Sequence, residues 1–427
     1  METSLNTLGN DMTNPFLSWD DAEDTSPAAQ AGNDFVLGLN QSLVDTNSAA
    51  SAITHRASPK PLDLIDQSGL NSFEAKLLNI LKERKLVTDG VINVGAPRLT
   101  PENKRIINGT SDVNQIVPIK YEWAWQKYLD GCANHWMPTE VSMNTDIAQW
   151  KSDDILTPDE RWIIENALGY FSTADSIVVN NLLLSIYGRV TAAECRQYIL
   201  RQAFEEAIHT HAYQYCIQSL GMDEARLFNM YRENPSMIQK DNWTFEFEKG
   251  LLDPNTSDED FLRNLIAYYT TVEGLFFYCG FSLVFSMGRR RIMPGVCEQF
   301  QYILRDESMH LNFGVDLINQ IKIENPGIWT PQMQNASREV IGEGLLLETA
   351  YSRDLMPNGG IMNMSAASMQ QYLRFTANRR CQQIGVLEVA DNVANPYQWM
   401  SEMLDLRKEK NFFETRVTDY QVNPLQF

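Results

Sequence analysis

Residues 201–214 read RQAFEEAIHTHAYQ and residues 302–315 read YILRDESMHLNFGV; each holds a glutamate followed three positions later by a histidine, Glu206 with His209 and Glu307 with His310. A helix turns about 100° per residue, so a three-residue step leaves both side chains on one face, within reach of a single metal ion. The chain has only five histidines, at 55, 135, 209, 211 and 310. Two such frames among five histidines would arise by chance in roughly a few per cent of sequences of ordinary glutamate content. One frame alone is most often a surface ion pair, so the surrounding sequence has to decide.

Both frames lie in long stretches of helical periodicity. From VPIKYEWAWQKYLDG at Val117 onward, start and stop signals punctuate the chain and strand-like alternation is absent. Thr157-Pro158-Asp159-Glu160 is a capping box with proline at the first helical position, and it opens a helix expected to run through WIIENALGYFSTADSIVVNNLLLSIYG. A second helix is expected from Thr191, with Glu194 three residues on, to Gly221. A third, apolar nearly all round, spans about 258 to 287, and a fourth spans about 295 to 323. Amphipathic stretches near 330–353 and 365–384 complete an all-α bundle. His135 and His211 are expected to face solvent or to satisfy local hydrogen bonds.

Each frame follows an acid set in a strongly apolar helix: Asp175 in YFSTADSIVV, 31 residues before Glu206, and Glu273 in TTVEGLFFYCGF, 34 residues before Glu307. A lone carboxylate there would cost several kcal/mol unless paired or ligating. The six residues Asp175, Glu206, His209, Glu273, Glu307 and His310 resemble the donor set of ferritin-like dimetal carboxylate bundles. Four carboxylates balance two divalent ions, and an oxygen-rich shell with one nitrogen per ion suits iron or manganese better than zinc or copper(I). Tyr213 lies four residues after His209 and seven after Glu206, on the same face. Phe277, Phe281 and Ile303 stand four and eight residues after Glu273 and four before Glu307, an apolar wall beside that phenol.

Composition bounds the remaining choices. With 44% apolar residues the chain can fill a large core, and a net charge of -20 argues against a surface that tracks nucleic-acid phosphates. The start METSLNTLGNDMTNPF has neither a basic nor an apolar leader region, and no window approaches the ~20 apolar residues of a membrane span. A cytoplasmic protein is expected. The six cysteines form no C-x-x-C pair and read as reduced, mostly core thiols. Residues 1–95 read as a disordered extension of unknown role, with one amphipathic stretch at 72–87 and a polar linker to about 115. Residues 96–404 form the helical domain, and 405–427 a charged, irregular tail.

From about residue 100 to the C-terminus the chain resembles the class I ribonucleotide reductase small subunit. The resemblance implies that Asp175, Glu206 and His209 are the ligands of the first half, that Glu273, Glu307 and His310 are those of the second, and that Tyr213 is the radical tyrosine. Trp136 in NHWMPTEVSM and Asp306 in RDESMH match a relay tryptophan and the aspartate that links it to a ligand histidine. The tail FFETRVTDYQVNPLQF supplies a relay tyrosine, Tyr420, and an apolar ending at Phe427 that docks on the large catalytic subunit. The resemblance further implies a homodimer that passes an oxidising equivalent to its partner and binds no nucleotide substrate itself.

Many quoted stretches also resemble a branch that stores its oxidant on a manganese/iron pair, with phenylalanine at the position of Tyr213 and glutamate at that of Asp175. Both departures favour a di-iron site and a radical on Tyr213 over mixed manganese/iron or two manganese ions. A dimetal oxygenase and a ferritin-like iron store share the donor set. Neither gives a reason for the walled Tyr213 or for the apolar-ended tail.

Overall fold

The computed structural model describes residues 100–109, 115–181, 185–253, 255–361, 363–391 and 393–405. The whole of the 1–95 extension, with the expected helix at 72–87, and the tail with Tyr420 lie outside the described residues.

Eleven longer helices carry the architecture: α1 Glu122–Ala133, α2 Asn144–Lys151, α3 Pro158–Asn181, α4 Ala193–Leu220, α5 Pro235–Leu252, α6 Asp258–Ile266, α7 Tyr278–Gly288, α8 Pro294–Glu324, α9 Pro331–Leu355, α10 Ala366–Ile384 and α11 Gln398–Asp405. The sheet among the described residues is one antiparallel pair, Gly360–Ile361 with Met364–Ser365. Helix α3 packs along α4, α7 along α8 and α3, and α8 against α4, so the segments carrying the expected ligands surround one core. This is the ferritin-like bundle the donor set implies.

The start of α3 follows the sequence: the Thr157 N–H donates to Glu160 Oε2 (2.8 Å), and the Glu160 N–H donates to Thr157 Oγ1 (3.2 Å). Proline opens α8 and α9, and Gly221 closes α4 with a φ of 67°. The observed bounds of α8, α9 and α10 fall within about two residues of those expected.

Three expectations are corrected. Thr191 and Glu194 do not cap α4, which starts at Ala193 without a side-chain cap. Thr191 Oγ1 instead accepts from the Gly109 N–H (3.0 Å), and Glu194 pairs with Lys104 at 2.8 Å, both groups buried. That pairing also corrects the linker, because Ile106 and Ile107 are fully buried and a bridge ties Ile107 to Val190. The chain is therefore built into the body from at least Lys104.

The third correction bears on the site. The expected single helix at 258–287 is broken: α6 widens into a π-helical stretch, Ala267–Val272, and regular winding resumes only at α7. The N–H groups of Glu273 and Phe276 donate to Tyr268 O (3.0 Å) and Thr271 O (2.9 Å), each five residues back. Such widened turns recur at functional sites, where an inserted residue re-aims a side chain. At Gly274 a Cβ would sit 2.6 Å from Thr270 O and 2.9 Å from Arg380 Nε, so only glycine fits.

Candidate metal centre

Glu206 and His209 from α4, Glu307 and His310 from α8, and Glu273 from the break converge in the core. Ligand atoms of Glu206, Glu273, Glu307 and His310 all lie within 4.8 Å of one another. His310 Nδ1 stands 3.0 Å from Glu206 Oε1, 3.3 Å from Glu307 Oε2 and 3.8 Å from Glu273 Oε2. His209 Nδ1 stands 3.3 Å from Glu206 Oε2 and 3.2 Å from Glu307 Oε1. Each imidazole thus turns Nδ1 to the carboxylates, and Glu206 and Glu307 each face both imidazoles. Asp175 lies on α3, and its side chain is outside the described residues.

All five side chains are buried, and both oxygens of Glu206 and one each of Glu273 and Glu307 make ion-pair contacts with the imidazoles but no well-aligned hydrogen bond. Burial pushes the Glu273 carboxyl well above the usual range, with Glu307 and Glu206 adding to the rise. Burial opposes charge on His209, but Asp306, then Glu206 and Glu307, hold its proton; Glu205, Glu206, Glu273 and Glu307 do the same for His310. Although burial opposes ionisation of Glu307 too, the two histidines keep its carboxyl below the usual range. Imidazolium protons here offset charge that bound cations would neutralise better, by displacing them. The residues fit a pair of divalent ions with a mainly oxygen shell.

The far nitrogens of the two imidazoles are held crosswise. His209 Nε2 lies 3.1 Å from Asp306 Oδ2, and His310 Nε2 lies 2.8 Å from Glu205 Oε2. Each of these acids immediately precedes the ligand glutamate of the opposite frame. Glu205 was missed by sequence reasoning, although the repeated acid-Glu-x-x-His string carries the signal. Asp306 Oδ2 also accepts from Trp136 Nε1 at 2.8 Å, and the Asn134 amide donates to Oδ1. The Trp136 ring stacks on Tyr302 with centroids 5.1 Å apart and an interplanar angle of 17°. On the other side Arg201 pairs with Glu205 at 3.1 Å and donates to the carbonyls of Gly131 and Asn134. Gln202 donates to Glu273 Oε1 (3.0 Å) and accepts from the Tyr269 phenol (3.2 Å).

Tyr213 is 1% exposed, and its ring neighbours are Phe171 and Phe300, with centroids 5.7 and 5.8 Å away. The expected Phe277 and Phe281 pack behind Phe171, at 5.5 and 5.4 Å, and Ile303 is fully buried. Phe171 and Phe300 were missed, although they stand four residues before Asp175 and seven before Glu307 at helical spacing. His135 is exposed and His211 half-buried, as expected. Five of the six free cysteines are buried, and Cys132 is exposed. No described helix is long and apolar enough to cross a membrane.

The bundle and its carboxylate-histidine cage define a class: ferritin-like proteins with a buried cage able to hold metal. Residues 113–396 match the family model described as "Ribonucleotide reductase, small chain". The chain is 49% identical over 331 residues to the ribonucleoside-diphosphate reductase subunit beta of Chlamydia pneumoniae, covering 76% of this chain and 95% of that one. It is 29% identical to the small chain from Nicotiana tabacum, covering 76% and 92%. Among solved structures, the R2 subunit from Clostridium botulinum superposes with a TM-score of 0.66 at 27% identity, covering 70% of this chain and 94% of that one. The chain belongs to the ribonucleotide reductase small-chain family.

Proposed function

We propose that Asp175, Glu206, His209, Glu273, Glu307 and His310 hold two iron ions and that Tyr213 stores the oxidising equivalent this small subunit delivers. The observation that carries the reading is a cage of buried carboxylates facing two imidazoles, with Glu206 and His209 on the same helix, α4, as a tyrosine closed in by phenylalanines. When bound, the metal pair with dioxygen supplies a one-electron oxidation; iron is the reading, with manganese/iron or two manganese ions as the alternatives. The protein's part is to bind, align and exclude water. Phe171 and Phe300, backed by Phe277 and Phe281, keep water and reductants from the Tyr213 phenol.

The path outward runs from the cage through His209 and Asp306 to Trp136, every link being a hydrogen bond between buried groups. From Trp136 the relay continues to Tyr420 in the tail, and the ending Pro424-Leu425-Gln426-Phe427 docks on the large subunit, where the ribonucleotide is reduced. The working form is a homodimer in the cytoplasm. Turnover with the large subunit tests the tail: deleting residues 423–427 should abolish it while metal content and radical yield stay those of the full chain. Tyr420→Phe should also stop turnover and leave the radical in place. Full turnover by either protein contradicts this part of the reading.

A further inference from the structure

The break that aims Glu273 is served by charges that the metal centre does not use. Lys240 on α5 and Glu348 on α9 form a fully buried ion pair, Nζ to Oε2 at 2.6 Å. The Lys240 ammonium also donates to the Phe276 carbonyl (3.0 Å) and lies over the rings of Tyr170 (3.8 Å to the centroid), Tyr351 (4.2 Å) and Phe276 (4.6 Å). The other Glu348 oxygen accepts from the Cys279 N–H at 3.2 Å. That amide belongs to the first turn of α7, whose N-cap residue Phe277 gives no side-chain cap, so Glu348 caps α7 from a different helix. Arg380 Nε donates to the Gly274 carbonyl (2.7 Å) from α10. Three buried charged side chains from three helices therefore hold the backbone at 274, 276 and 279, points that follow directly on Glu273 and flank Phe277.

A buried pair is a poor investment in stability, because apolar side chains of similar volume often do as well or better in its place. The backbone it holds is another matter: no apolar side chain can serve the Phe276 carbonyl and the Cys279 amide. We propose that Lys240 and Glu348 are positioning residues of the metal centre, fixing the irregular segment so that the Glu273 carboxylate meets the cage and Phe277 backs the ring cluster around Tyr213. The inference rests on the metal reading of the cage, and its test keeps the two apart.

Cobalt(II) titrations of the metal-free chain, followed by the visible ligand-field band and by thermal melting, make that test. Wild-type protein should take up two cobalt ions; failure to do so would remove the metal reading itself. Lys240→Met alone strands a buried carboxylate and should lower the melting temperature. The double variant Lys240→Met/Glu348→Met removes both charges and should recover most of the melting temperature. Its cobalt band should nonetheless be shifted and its affinity weaker by about tenfold or more, the loss typical when the support of a ligand goes. A double variant with the wild-type band and affinity overturns the proposal. If the double variant does not fold, Glu348→Gln, nearly the same shape without the charge, carries the same comparison. A displaced band supports the positioning role, and an unchanged titration overturns it.

Discussion

The α4 and α8 arms of the cage are written in the same pattern, an acid, a ligand glutamate, two spacers and a ligand histidine, and they support each other crosswise. Their outer contacts differ. Asp306, behind His209, is served by two neutral donors, the Trp136 indole and the Asn134 amide. Glu205, behind His310, is paired with the Arg201 cation, which is itself tied to two backbone carbonyls. Both acids orient an imidazole, but only one continues into an oxidisable ring and, by stacking, into Tyr302. On the proposed reading the α4 histidine faces a route outward and the α8 histidine an anchor.

The largest effect should come from removing what the arms share. Glu307 faces both imidazoles, and they hold its carboxyl below the usual range. Glu307→Ala should leave fewer than two metal ions per chain by elemental analysis and no detectable radical. A variant that still bound two ions would mean the arms do not meet at Glu307.

Substituting the two outer acids separates the arms. Asp306→Asn should lower turnover by about 100-fold with radical yield largely kept, whereas Glu205→Gln should cost about tenfold and act through weaker metal retention. Steady-state turnover beside metal and radical content distinguishes them. Equal losses through the same quantity would erase the proposed difference between route and anchor. Thr157→Ala is the control outside both arms: the lost cap should lower stability by about 1 kcal/mol in denaturant melts, with metal content unchanged.

The regular parts of the molecule were legible because their signals are local. Thr157 with Glu160, Gly221, Pro294 and Pro331 mark helix ends by side-chain chemistry or backbone freedom, and a three-residue step places Glu206 and His209 wherever the helix goes. The break, whose widened turns run over Ala267–Val272 just before Glu273, was not legible, because AYYTTVEGLFFYCGF is buried on every side and one extra residue per turn leaves no trace in such a run. Thr191 misled for the opposite reason. Its cap-like spacing to Glu194 is real, but Lys104, ninety residues earlier, offered the glutamate a charged partner and left the hydroxyl to Gly109. Ring neighbours fared likewise: Phe277 and Phe281 were found by counting from Glu273, while Phe171 and Phe300, which touch Tyr213, become visible only when all the ligand helices are counted together.

The central claim is that this cage serves Tyr213. The most direct measurement is electron paramagnetic resonance of the metal-free chain given iron(II) and dioxygen, beside Tyr213→Phe treated identically. The account predicts a tyrosyl signal in the first sample, its absence in the second at equal iron content, and loss of turnover with the large subunit in the second. Wild-type turnover by Tyr213→Phe, or an iron-loaded wild-type chain that works only once manganese is supplied, would contradict it and place the stored oxidant on the metals.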